Sequence, residues 1–92
     1  MFLPKALQEL ADAWECYEDR QAGLGDRFEL HVLKKVNTIL RNPEHYERKK
    51  NQYREARVDT FPYLIIYKID KEKYQVLVIS VFHTSRSIAR KV

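Results

Sequence analysis

Cysteine occurs once in this chain, at Cys16, glycine twice, at Gly23 and Gly25, and proline three times, at Pro4, Pro43 and Pro62. A lone cysteine excludes an internal disulfide, so the fold has to be held by its core. Nothing around Cys16 in the sequence resembles a positioned base, and the residue reads as a partly buried helix thiol rather than a nucleophile. So little glycine and proline leaves no room for a linker or low-complexity segment, and no internal repeat is visible. Residues 1–92 are therefore expected to form one domain around one modest core. Long apolar runs are missing too, since a membrane-spanning helix needs ~20 such residues and no run approaches that length. No positively charged leader precedes an apolar stretch, so cytoplasmic residence is the expectation.

What is present is 45% hydrophobic and 33% charged, the balance of a soluble globular protein, with a net charge of +4. That figure hides an asymmetry. Residues 1–40 hold 5 Lys/Arg against 7 Asp/Glu, whereas residues 41–92 hold 12 against 6. A positive field concentrated in the second half suits nucleic acid or an acidic partner protein, with a solubilising surface as the alternative.

The first half reads as two helices. Pro4 fits a first helical position, and Leu7, Leu10, Trp14 and Tyr17 recur at spacings of three and four, which predicts one apolar face with Glu9, Asp12, Glu15, Glu18 and Asp19 elsewhere. Gly23-Leu24-Gly25 breaks this helix, and Asp26 with Glu29 three residues on resembles a capping box that starts the next. Phe28, Val32, Val36, Ile39 and Leu40 form a second stripe, ended by Asn42-Pro43. Trp14 and Phe28 are expected in the core. The pair should make a helical hairpin.

The second half reads as strands. Residues 44–53, including Arg48-Lys49-Lys50, form a polar loop, and Tyr53 to Val58 reads as a first strand, with Arg54 and Arg57 on opposite faces. Pro62 has no N–H and suits the start of the next strand, in which Tyr63, Ile65, Tyr67 and Ile69 share one face and Leu64 and Ile66 the other. The break Asp70-Lys71-Glu72-Lys73 then gives a hairpin to Tyr74–Phe82, whose apolar character on both sides is that of a central strand. The fold class is α+β: a helical hairpin packed on an antiparallel sheet.

Candidate site residues are few. His83 ends the last strand and serves either as a hydrogen-bonded structural group or as a proton shuttle. Arg86 either pairs with a carboxylate or functions at the sheet rim beside Arg54 and Arg57. His31, His45 and His83 lack ligand spacing and cysteine companions, and no Gly-rich phosphate loop, Ser-His-Asp arrangement or paired carboxylates occur, so neither a metal nor a cofactor is expected.

Taken in order, Ala6-Leu7-Gln8-Glu9-Leu10 with Trp14 and Tyr17, Gly23-Leu24-Gly25 with Phe28, Ile39-Leu40-Arg41-Asn42-Pro43, the Arg-rich strand, Phe61-Pro62-Tyr63 leading into Ile65-Ile66-Tyr67, and Val78-Ile79-Ser80-Val81-Phe82-His83-Thr84-Ser85-Arg86 resemble the RelE/ParE superfamily of bacterial toxins from type II toxin–antitoxin modules. The pattern is closer to the ParE-like plasmid stabilisation toxins. The resemblance covers essentially the whole chain and implies a three- to four-stranded sheet. Family members usually start with a strand, and only Met1, Phe2 and Leu3 precede Pro4, so the first strand is expected to be truncated and the sheet to have an open edge, which a partner peptide could cover. The C-terminal run from Ser87 is too short for a well-formed final helix.

The resemblance implies a cognate antitoxin in a hetero-oligomeric complex and one of two activities. RelE-type members are ribosome-dependent endoribonucleases acting on mRNA, for which Arg54, Arg57 and Arg86 would supply charge and His83 would move protons. Leu64, however, stands where those enzymes tend to place an arginine, and Ala89 or Arg90 where a C-terminal tyrosine would be. ParE-type members act by binding DNA gyrase, and Arg54, Arg57, Arg86, Arg90, Lys49 and Lys50 are the candidate binding residues for that reading. A third reading is an attenuated member that binds only its antitoxin.

Overall fold

The computed structural model describes residues 1–85. Helix α1 (Pro4–Arg20) and helix α2 (Leu24–Arg41) are followed by a 3-10 turn (Lys50–Gln52) and the strands β1 (Arg54–Arg57), β2 (Tyr63–Asp70) and β3 (Gln75–His83). The three strands form an antiparallel sheet in the order β1-β2-β3, with both helices on one face. Pro4 occupies the first turn of α1 as its missing N–H predicts, and Asn42 closes α2 ahead of Pro43.

The helix face that packs on the sheet is narrower than its periodicity suggests. Ala6 and Ala13 are buried on α1, with Leu10 and Tyr17 packed beside them, while Leu7 is 53% exposed and Trp14 only half-buried. Alanines at the contact let the helix lie close to the strands and push the larger Leu7 and Trp14 to the flank. On α2, Phe28, Val32, Val36 and Ile39 are buried as expected, but Leu40 is 52% exposed. An aromatic cluster of Tyr17, Phe28, Phe61 and Tyr63 joins helices to sheet, with Phe28 and Tyr63 ring centroids 4.8 Å apart and Phe28 and Phe61 5.3 Å apart.

The Asp26/Glu29 capping box does not form. Gly23, at φ 87°, turns the chain into α2, a conformation that a side chain with a Cβ resists. The cap comes from the preceding helix: the Gly23 and Gly25 N–H groups donate to the two carboxylate oxygens of Glu18, at 2.8 and 2.9 Å. Asp26 instead accepts the Trp14 indole N–H at 2.9 Å. A carboxylate at a helix N-terminus also meets the positive end of the helix dipole.

In the sheet, Tyr63, Ile65 and Tyr67 of β2 face the helices and are buried. The β2–β3 turn is organised by Asp70, whose Oδ1 accepts the N–H groups of Glu72 and Lys73. The register shifts by one residue between Ile66 and Tyr67, where Ile66 pairs with Ser80 and Tyr67 with Val78, which leaves Ile79 as an extra residue in β3. β2 is the central strand. β3, expected there from its apolar sequence, is instead flanked on its outer side by the first residues of the chain: Val78 N–H donates to Met1 O (2.8 Å), Leu3 N–H to Val78 O (2.9 Å), and the Met1 nitrogen to Val76 O (2.8 Å). The expected truncation of the first strand is thus real in length, but Met1–Leu3 still run parallel to β3 and cover that part of its edge.

Candidate functional site

The basic rim anticipated from the sequence is divided by the sheet. Arg54 begins β1 on the helix side, half-buried, and its guanidinium donates to the carbonyl oxygens of Tyr46 (2.5 Å) and Glu44 (3.4 Å). Tyr67 donates its hydroxyl to Pro43 O at 2.6 Å. These two side chains tie the chain leaving α2 onto the sheet, which satisfies backbone carbonyls that have no ladder partner. Burial pushes the Tyr67 hydroxyl up to about 12, with the nearby Arg54 charge acting in the opposite sense.

Arg57 lies at the other end of β1, exposed. It shares a cross-strand row with Leu64, which pairs in turn with Phe82, so its side chain belongs to the face away from the helices. His83 pairs with Tyr63 on the helix side and stacks edge-on against that ring, with centroids 4.9 Å apart. Its Nδ1 accepts the Ser85 N–H at 3.2 Å and lies 2.9 Å from the Ser85 hydroxyl.

Position by position, then, the residues do not converge. Arg54 sits opposite Tyr67 and His83 opposite Tyr63, a displacement of ~13 Å along the strands and ~10 Å across them at ordinary strand spacings. Arg57 shares the His83 end but not its face. Lys49 and Lys50 lie on the exposed loop at the Arg54 end, where Arg48 bridges to Arg54 and Lys49 pairs with Glu47 at 3.6 Å. Arg86 and Arg90 lie outside the described residues. Among the described residues no group of three or more His, Cys, Asp or Glu side chains is arranged to hold a metal ion.

Two groups were missed in the sequence. Glu9 reaches from α1 to the bulged part of β3, where one carboxylate oxygen accepts the Ser80 hydroxyl (2.7 Å) and the Val81 N–H (3.0 Å). It thereby continues along the β3 edge the pairing that Met1–Leu3 begin. Its signal was its spacing from Ala6 and Ala13, which places an acid on the sheet-facing side of α1. Cys16, expected to be partly buried, is exposed. Together with Lys5, Glu9, Asp12, Tyr63 and His83 it lines an open cavity of about 260 Å³ between α1 and the end of β3.

The model of the ParE toxins of type II toxin–antitoxin systems (parDE) matches residues 1–88. The chain belongs to this toxin family. A solved structure of the chromosomal ParDE toxin–antitoxin system from P. aeruginosa shares the fold of this ParE-family toxin, with a TM-score of 0.78, 9% sequence identity, and coverage of 91% of this chain and 92% of that one. No curated protein sequence matches it. Membership makes this protein a toxin component whose family implies an antitoxin partner. No helix among the described residues is long and apolar enough to cross a membrane.

Proposed function

We propose that this ParE-family toxin inhibits bacterial growth in the cytoplasm by binding DNA gyrase, and that a cognate antitoxin neutralises it. The observation that carries this reading is the dispersal of the would-be catalytic groups. Cleavage at a 2′-OH needs cations around the scissile phosphate and a proton-transfer group within hydrogen-bond reach of it. Here Arg54 is engaged with the carbonyls of Glu44 and Tyr46, Arg57 and His83 belong to opposite faces, and Leu64 occupies the row between Arg57 and Phe82. A protein that acts by binding needs no such convergence. The basic second half favours an acidic antitoxin segment.

The test compares two assays on the purified protein. Inhibition of gyrase supercoiling, with no cuts detected by primer extension on ribosome-bound message, is the expected result. Codon-positioned cuts that vanish in His83→Ala would overturn it in favour of a ribosome-dependent mRNA endonuclease. Absence of both, with growth unaffected by expression alone, would leave an attenuated member that only binds antitoxin.

A further inference from the structure

The large apolar side chains that stay exposed are concentrated on one side of the helical hairpin. Leu7 of α1 and Leu30, Leu33 and Leu40 of α2 are 43–54% exposed. Leu33 and Leu40 are seven residues apart and Leu30 lies one turn from Leu33, so the three run as a stripe along α2 on the side away from its buried Phe28, Val32, Val36 and Ile39. Leu7 borders it across the groove between the helices, an open cavity of about 500 Å³ floored by Leu10 and Trp14.

Charge along this stripe is segregated by end. Around the first half of α2 the groove is lined by Glu15, Asp26 and Glu29, with no basic residue. Around the second half, a shallower cavity of about 330 Å³ is lined by Lys34, Lys35 and Arg41, with Asp59 the acid beside them and held by Lys35 at 3.8 Å. An apolar strip that is acidic at one end and basic at the other is complementary to itself when one copy is turned end for end. That is the symmetry of an isologous two-fold interface.

We propose that this face is the interface of a homodimer, in which α2 packs antiparallel against α2 of a second copy. Leu33 lies near the two-fold axis, Leu30 and Leu40 pack across it, and Lys34 and Arg41 of each copy face Asp26 and Glu29 of the other. At 1.5 Å per residue the 18 residues of α2 offer a contact ~27 Å long, and antiparallel helices also set their dipoles head to tail. An acidic-rimmed groove repels an acidic antitoxin segment, so this surface is separate from the basic one expected to receive that partner.

The experiment is sedimentation velocity of the purified chain over a range of concentrations. Trp14 fluorescence is followed in parallel, since the chain has one tryptophan and it lines the groove. The expected result is a monomer–dimer equilibrium with a blue shift of emission on association, weakened tenfold or more by Leu33→Lys. Two charge variants decide the geometry. Lys34→Glu/Arg41→Glu makes the stripe acidic at both ends and Glu15→Lys/Glu29→Lys makes it basic at both ends. Each should lose self-association, and an equimolar mixture should recover it as a heterodimer. Circular dichroism of each variant checks that it is folded. A wild-type chain that stays monomeric at the highest concentration overturns the proposal. So does a dimer that neither Leu33→Lys nor the charge variants weaken, because its interface is then elsewhere.

Discussion

At the scale of single residues, the informative side chains are those that bridge layers rather than those that line a cleft. Glu9 supplies an acceptor to Ser80 and Val81, the first of which is a buried hydroxyl and the second a strand-edge N–H. Removing the acceptor leaves both without it. Glu9→Ala is therefore expected to destabilise the fold by about 1–3 kcal/mol, and Glu9→Gln, which keeps an oxygen at the same reach, by clearly less. Urea denaturation of the two variants checks this order, and equal losses would show that the bond contributes little. Tyr67 gives a pH-dependent counterpart. Its hydroxyl is held up to about 12, above the ordinary value of 10.0, so the folded state keeps the proton where the unfolded chain releases it. Its contribution is fully present below pH 10 and is lost as pH rises from 10 towards 12. Tyr67→Phe should lose about 1 kcal/mol near neutrality, from the bond to Pro43, and should flatten that part of the alkaline stability profile.

At the scale of elements, the α1–α2 junction is the place where one atom decides the packing. A Cβ on Gly25 would lie 2.7 Å from the Trp14 carbonyl oxygen and 2.9 Å from both Glu18 Oε1 and the Trp14 indole nitrogen. Gly25→Ala must push the helices apart or break the Glu18 cap, and a loss of about 1–3 kcal/mol in denaturant melts is expected. Gly23→Ala meets no atom but stays at φ 87°, so its cost should be only the ~1 kcal/mol of a left-handed conformation. The order of the two losses separates steric contact from backbone strain. The elements themselves were legible in the sequence. Helix periodicity, Pro4, Asn42-Pro43 and the two β-branched runs each fall within a residue or two of the observed boundaries. What was not legible depended on tertiary contact. The cap went to Glu18 rather than to Asp26 because the preceding helix folds back over the turn. The bulge at Ile79 leaves no trace in composition. Leu7, Leu33 and Leu40 satisfy a helical period yet stay exposed, because two helices on one face of a small sheet bury only one narrow stripe each.

At the scale of the whole molecule, charge is distributed so that the helical half and the strand half differ in sign, while the groups suggested for chemistry are spread over both ends and both faces of the sheet. The candidate site was therefore only partly visible beforehand. The sequence placed Arg54 and Arg57 on opposite faces, but nothing in it showed that Arg54 would be absorbed into holding residues 43–46. Arg57 is the described rim cation that extends from an exposed position at the end of β1, and this sets the last prediction. Exposed rim charges contribute ~0–1 kcal/mol to stability, so Arg57→Ala should melt within a few degrees of the parent. If the protein works as a binding toxin, the same change should weaken growth inhibition, because a surface cation lost from an interface slows association and costs affinity. His83→Ala should then leave inhibition largely intact, since a binding mechanism transfers no proton. Growth assays and melting curves on the two variants give a pattern that each mechanism fills differently. An endonuclease loses activity with His83. A binding toxin loses it with Arg57, and a variant that loses fold and inhibition together would assign that side chain to structure alone.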